Sequence, residues 1–259
     1  MSKRIGNAVL VFAALLTLLP ALLLLAQSLA VYDAERDMTY FSFGQYVEIF
    51  QNARYWNNYR NSLILTVWSL VLALPIGVLS GLLLAFRTRR WERRLMLLYF
   101  IALLMPFQVI MLPLFQLAVE TGLYNSHASI ILLNTFAPLG VLVCWVLIKQ
   151  IDTEQWDAVL LETSSVFAII RRIILPQIAP GLLALTILLW SEAWNMVEQP
   201  LILLSDKSLQ PLSIYYNDIL DSSGSYAGSV LYALPVLALF LLVVGFLWFT
   251  RAIHRTNKA

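Results

Sequence analysis

Apolar residues run along this chain in long unbroken stretches. Leu22-Leu23-Leu24-Leu25 and the stretch 239–245 place apolar side chains on every face at once. A strand of a membrane barrel would instead alternate polarity over about 10 residues. Crossing a bilayer core of about 30 Å takes roughly 20 apolar residues in a helix. Six stretches meet that length, at about 8–31, 62–86, 95–118, 129–149, 179–204 and 229–250. Lipid offers no partner to an open backbone group, so each must be helical. The pattern predicts an all-α membrane protein with six transmembrane helices in a single domain over 1–259. Lys3 and Arg4 ahead of the first run resemble the front of a signal peptide. The run outlasts a typical h-region and no A-x-A-like site follows it cleanly, so the expectation is a retained helix.

Composition sharpens this picture. Of 259 residues, 60% are hydrophobic and 12% charged, against about 45–50% and about 25% in soluble domains. A soluble enzyme and a disordered chain are excluded. A net charge of +2 is too small for a nucleic-acid footprint. The single cysteine, Cys144, rules out an intrachain disulfide and a cysteine-rich metal cluster. His127 and His254 are the only histidines, which leaves little material for a zinc site or a catalytic triad.

Charge placement predicts orientation. With both termini on one side, that side holds 13 of the 17 Lys and Arg residues, including Arg87, Arg89, Arg90, Arg93, Arg94, Arg171 and Arg172. Only Arg36, Arg54, Arg60 and Lys207 fall on the other. The positive-inside rule then puts both termini in the cytoplasm. The outer segment 32–61 is rich in Tyr, Phe and Trp, as a short helix at headgroup level would be; a docking surface for an external partner is the other reading. The basic loop 87–94 reads as a topology signal, with contact to anionic lipid a natural addition.

The inner loop at about 150–178 is long and not simply basic. Trp156, Val159 and Leu160, then Val166, Phe167, Ile169, Ile170 and Ile173, fall at helical spacing. Thr153 and Glu154 suit a helix start, Thr163-Ser164-Ser165 an interruption, and Pro176 and Pro180 an end to the segment. Such a hairpin buries its apolar face either on its own bundle or in a partner's groove. In the fifth span, Glu192 and Glu198 are the only acids within a predicted span, accompanied by Asn195 and Gln199. A carboxylate at mid-membrane costs about 2.5–3.5 kcal/mol on the insertion scale, so it should face water or a partner. Glu192, Asn195 and Gln199 share one face, and Trp190, Trp194 and Glu198 a neighbouring one. Aromatic faces beside amides and acids suit a polyol; interhelical packing is the alternative use. Pro75, Pro106, Pro113, Pro138 and Pro235 are ordinary in membrane helices.

Several of these residues resemble a known family. Asp157-Ala158-Val159-Leu160-Leu161-Glu162-Thr163-Ser164, followed by Leu175-Pro176, is similar to the E-A-A-x-x-x-G loop of binding-protein-dependent ABC transporter permeases. Asp157 stands at the Glu position, Ala158 at the first Ala, Glu162 at the acid before the Gly and Thr163 at the Gly itself. Asn61-Ser62, the turn 121–126, Asn134-Thr135, and Trp194-Asn195 followed by Pro200-Leu201 resemble features of the carbohydrate, maltose-permease-type, six-span branch.

The resemblance implies a type I ABC importer permease fold in a bacterial or archaeal plasma membrane, and a sugar or sugar-like solute. It implies ABC ATPase subunits, a second homologous permease and an extracytoplasmic solute-binding protein as partners. It assigns ATPase coupling to Trp156, Asp157, Ala158, Leu160, Glu162, Thr163, Ser164 and Phe167. Glu192, Trp194, Asn195, Glu198 and Gln199 are the candidates for the substrate path. The chain contains no G-x-x-x-x-G-K-[ST], so it binds no nucleotide by a P-loop, and ATP with Mg belongs to the partner ATPase. The chain is thus expected to be no enzyme and to hold no cofactor or metal. The competing reading is an ion- or proton-coupled secondary transporter with Glu192 and Glu198 as a relay; a membrane-embedded enzyme comes third.

Overall fold

The computed structural model describes residues 2–33, 38–151, 165–221, 232–238 and 240. It is helical apart from one short hairpin. The chain folds as two compact units, Met1–Tyr59 with Tyr215–Ala259, and Arg60–Ile214.

In the first unit, α1 (Ser2–Leu29) leads into β1 (Ala30–Asp33), which pairs antiparallel with β2 (Met38–Phe41) in the register Ala30 to Phe41 and Asp33 to Met38. A short helix α2 (Gly44–Gln51) follows. Gln45 Nε2 donates to the Ser28 carbonyl at 2.6 Å, and Ser28 and Tyr46 share a hydroxyl hydrogen bond of 2.6 Å. The aromatic outer segment therefore includes the expected short helix, but also a hairpin strand that the sequence reading did not foresee. Asn52 ends α2 and caps the next helix, α3 (Ala53–Ala85), its Oδ1 accepting from the Arg54 and Tyr55 amides. In the same unit Arg54 pairs with Asp218 and lies over the Tyr215 ring at 4.8 Å. Tyr215 and Asp218 belong to α11 (Leu212–Asp221).

Helix α3 runs beyond the predicted second span of 62–86, beginning at Ala53. At 1.5 Å per residue, 33 residues make a rod of about 50 Å, longer than the hydrocarbon core. Hydropathy stops where lipid stops, whereas helical hydrogen bonding continues wherever protein satisfies the side chains. Asn61 Nδ2, near the start of the second unit, donates to the Ser208 and Gln210 carbonyls at 2.7 and 3.0 Å. Ser62 Oγ accepts from the Leu212 amide at 2.8 Å.

Three predicted spans are interrupted, each beside a proline. The stretch 95–118 is two helices, α4 (Arg89–Leu104) and α5 (Phe107–Glu120), bent by 94°. Pro106 has no amide hydrogen and pushes Met105 out of the helical region, to φ −73°, ψ 118°. The fourth span divides into α6 (His127–Thr135) and α7 (Pro138–Lys149), with Ala137 out of the helical region, at φ −110°, ψ 89°, before Pro138. The fifth divides into α9 (Leu175–Trp194) and α10 (Glu198–Leu203). Pro200 cannot bond the carbonyl four residues back, and the Ser213 hydroxyl donates to that Met196 carbonyl instead.

Elsewhere prolines fail to break a helix. Pro176 and Pro180 were expected to close the inner loop, yet α8 (Val166–Ile169) passes through a π turn at Ile170–Ile174 into α9 without a gap. The Leu175 amide reaches back to the Ile170 carbonyl. This wider turn makes room ahead of the Pro176 ring, as π bulges commonly do. Among the described residues, three helical stretches are long and apolar enough to cross a membrane: Ala53–Ala85, His127–Lys149 and Leu175–Trp194. A fourth arises if the bent pair is one span. Helix α1 includes an apolar stretch, Leu16–Leu29; most of the expected sixth span lies outside the described residues.

The core of the second unit joins Leu70, Val78 and Leu82 of α3 to Cys144 and Ile148 of α7 and to Ile174, Ile178 and Leu185 around α9. Its tightest seam is glycine-made. A Cβ added to Gly81 would stand 2.8 Å from the Trp145 nitrogen and 3.0 Å from the Cys144 carbonyl carbon. Beside this seam, Glu92 of α4 accepts from Trp145 Nε1 and Lys149 Nζ, both at 2.9 Å, tying α4 to α7. Partial burial works to raise the Glu92 pKa. The two hydrogen bonds, with the charges of Lys149 and Arg89, outweigh it and hold the carboxyl below its usual range.

Candidate functional site

The three helix breaks of the second unit meet at one place. A cavity of about 230 Å³ is lined by Met105 and Phe107 at the first break, Phe136, Ala137 and Pro138 at the second, and Glu192, Ala193 and Gln199 at the third. Helix α3 closes it with Ser69, Leu70 and Ala73. Irregular backbone at membrane depth is tolerated where it lines a cavity rather than meeting lipid, and discontinuous helices commonly build transporter binding sites.

Four polar side chains line this apolar pocket: Ser69, Asn134, Glu192 and Gln199. Ser69 is 3% exposed, and its Oγ has no hydrogen-bond partner. Asn134 Nδ2 approaches Met196 Sδ at 3.6 Å, a weak partner for an amide. Among the described residues, no Lys, Arg or His lines the cavity. The Ser69 Oγ is shielded from the cavity as well, so it is a buried hydroxyl left without a partner by packing, at a cost in free energy. The pocket is chemically suited to a guest rich in hydroxyls.

The structure separates the five predicted path residues. Glu192 and Gln199 both reach the cavity. They do so from different helices, because α9 ends at Trp194 and the shared face expected for Glu192, Asn195 and Gln199 does not exist. Asn195 turns back, its Nδ2 donating to the Ser191 carbonyl at 2.8 Å at the end of α9. Glu198 accepts from Gln108 Nε2 at 2.8 Å and is not among the lining residues. Trp194 stacks on Trp190, ring centroids 6.0 Å apart and planes 11° apart, and also does not line the cavity. Only one of the two acids of the secondary-transporter reading borders the cavity.

Ser69 and Asn134 were missed as site residues. Asn134 had a signal, a lone amide in an apolar span. Ser69 lies one helical turn from Thr66 and from Ala73 on a small-residue face of α3, which reads equally well as packing.

Of the predicted coupling residues, Trp156, Asp157, Ala158, Leu160, Glu162, Thr163 and Ser164 lie outside the described residues. Phe167 is described and is 72% exposed, whereas Ile169 and Ile174 are buried in the bundle core. The apolar stripe of this segment is therefore divided between the chain's own core and the surface.

The turn 121–126 is well defined. Gly122 has φ +70°, and the Leu123 and Gly122 amides return to the Ala118 and Val119 carbonyls at 2.8 and 3.1 Å, a Schellman end to α5. Asn125, at φ +57°, receives the Asp206 amide on its Oδ1 and donates its own amide to Leu203. The turn thus ties α5 to the chain beyond α10.

Residues 73–258 match the family model of the binding-protein-dependent transport system inner membrane component. The arabinooligosaccharides transport permease AraQ of Halalkalibacterium halodurans is 30% identical over 202 residues, covering 76% of this chain and 72% of that one. The melibiose/raffinose/stachyose import permease MelC of Bacillus subtilis is 26% identical, covering 77% and 75%. In structure, the chain is similar to a bacterial ABC transporter involved in import of the acidic polysaccharide alginate, at TM-score 0.80, 18% identity and coverage of 96% and 95%. The fold is that of an ABC importer permease, and the chain belongs to the binding-protein-dependent family of inner membrane transport components, as the permease of such an importer.

Proposed function

We propose that this permease passes a neutral, polyhydroxylated solute, a sugar or short oligosaccharide, along the cavity where the three interrupted helices meet. The observation that carries the reading is the lining: Ser69, Asn134, Glu192 and Gln199 in an apolar wall, with no cation beside them among the described residues. A carboxylate and two amides accept and donate hydrogen bonds to hydroxyls, while Glu192 repels an anionic guest. Relatives named for arabinooligosaccharides and for melibiose, raffinose and stachyose support a sugar. At about 230 Å³ the pocket is smaller than the roughly 300–1,000 Å³ of ordinary ligand sites. That size fits a path completed by a second permease.

In this reading both termini face the cytoplasm, and a solute-binding protein delivers cargo on the other side. A transport complex with a periplasmic binding protein, similar in fold to this chain at TM-score 0.73, supports such a partner. Separate ATPase subunits bind ATP and Mg. The inner loop, with Trp156, Asp157, Ala158, Leu160, Glu162, Thr163 and Ser164, seats in the ATPase, and the exposed ring of Phe167 adds an apolar anchor.

The test is purification of the tagged chain in mild detergent, followed by reconstitution. An ATPase and a second permease should accompany it, and the vesicles should take up raffinose or an arabino-oligosaccharide in preference to an oligo-uronate. Glu162→Lys should abolish ATPase co-purification or stimulated ATP hydrolysis. A chain that purifies alone, or uptake that persists without ATP, defeats the proposal.

A further inference from the structure

We propose that the groove beside the arginine-rich end of α4 is a binding site for an anionic glycerophospholipid, with its phosphate at Arg89 and Arg93 and an acyl chain along Met96, Leu97, Phe100 and Leu142. These residues, with Glu92 between the two arginines, line a groove of about 410 Å³. Arg89 and Arg93 are one turn apart, and Met96, Leu97 and Phe100 continue the same face. From Arg89 to Phe100 the helix rises about 16 Å, enough to run from headgroup level into the acyl region. A cationic rim above an apolar floor matches the two halves of one amphiphile. A free phosphate would gain nothing from Phe100 and Leu97, which stand 51% and 57% exposed.

The charge at the rim stays net positive although an acid shares the groove. Glu92 is the only carboxylate in the basic run 87–94. It is engaged by Trp145 and Lys149 at 2.9 Å each, and acts on Arg89 only at longer range. Arg94 lies over the Trp91 ring at 5.5 Å and does not line the groove. Among the described residues, neither Arg89 nor Arg93 makes an ion pair. Glu92 also lines the groove, but its charge is already shared with Lys149, so the rim keeps two arginines against one paired acid for an outside anion. Juxtamembrane arginines attract anionic headgroups strongly enough for two of them to shift retention by about tenfold or more. The site rests on no assumption about the transported solute.

The experiment is native mass spectrometry of the full-length chain, with the subunits that accompany it, taken from nanodiscs containing equal phosphatidylglycerol and phosphatidylcholine. Wild-type protein should retain phosphatidylglycerol selectively. Arg89→Gln with Arg93→Gln should lower that retention roughly tenfold, and Leu97→Trp, which fills the groove without changing charge, should lower it as well. Arg90→Gln with Arg94→Gln removes the same charge outside the groove and should leave retention near wild type. Equal loss in both arginine pairs would mean diffuse surface charge and overturn the site. So would full retention by Leu97→Trp, or a photo-crosslinker at Leu97 that captures a partner subunit instead of lipid.

Discussion

Along one face of α3, residues four apart meet two opposite environments. At Ser69 and Ala73 the face borders a cavity; at Gly77 and Gly81 it lies against the backbone of α7, close enough that a Gly81 Cβ would collide. The residues are small in both places, as helix contacts in membranes favour. The difference comes from what stands opposite. Helix α7 is continuous there, so glycine lets the two backbones meet. Around Ser69, three other stretches break beside prolines, and their ends cannot close-pack. Small residues thus make a seam against an intact helix and a chamber against interrupted ones.

That contrast can be broken by mutation. Gly81→Val should be the most damaging change, costing about 3 kcal/mol because the obstructing atoms are backbone; thermal unfolding in detergent reads it. A melting temperature like that of wild type would show that the seam is loose. Glu192→Ala should come next, on the chamber side. Loss of a charged hydrogen-bonding group at the path should lower uptake about tenfold while the unfolding temperature stays near wild type. An equal drop in stability would make Glu192 a packing residue.

Glu92→Gln tests the clamp flanking the seam. It should cost about 1 kcal/mol, modest because Lys149 is 42% exposed and water screens the pair. Since the folded carboxyl lies below its ordinary value of 4.5, the clamp contributes fully above that pH. Its contribution should fade as the pH drops below about 4.5 toward the folded value. A wild type and a Glu92→Gln variant whose stability difference does not shrink on acidification would refute the pairing. Gly181→Ala should have the smallest effect, under about 1 kcal/mol. Its new Cβ would meet Leu147 side-chain tips at 2.5 and 2.7 Å, and a leucine rotamer can move where a backbone cannot. A cost matching that of Gly81→Val would erase the distinction between yielding and unyielding neighbours.

Much of the site was hidden for the same reason that the spans were visible. Hydropathy reports the lipid and is nearly blind to the backbone within it, so 95–118 read as one span although it bends by 94°. Pro106, Pro138 and Pro200 were in view, yet Pro113 and Pro180 sit inside helices. Proline forbids one hydrogen bond; whether the helix then breaks depends on what takes the freed carbonyl. At Met196 the Ser213 hydroxyl takes it, and before Pro176 a π turn widens the helix instead. The turn 121–126 was legible because Gly122 and Asn125 are residue types that tolerate positive φ.

What the chain's own letters determine is therefore its solvent, its helical class and its family: apolar runs of bilayer length and a loop of recognisable spacing. Which polar groups share a chamber was decided only by the tertiary structure. Glu192 and Gln199 come together across a helix end, and Ser69 and Asn134 join them from elements far away in sequence. Asn195 and Glu198, neighbours in the chain, find other partners. Helical periodicity carries a side chain's direction only as far as the helix is unbroken, and this cavity is built where helices stop.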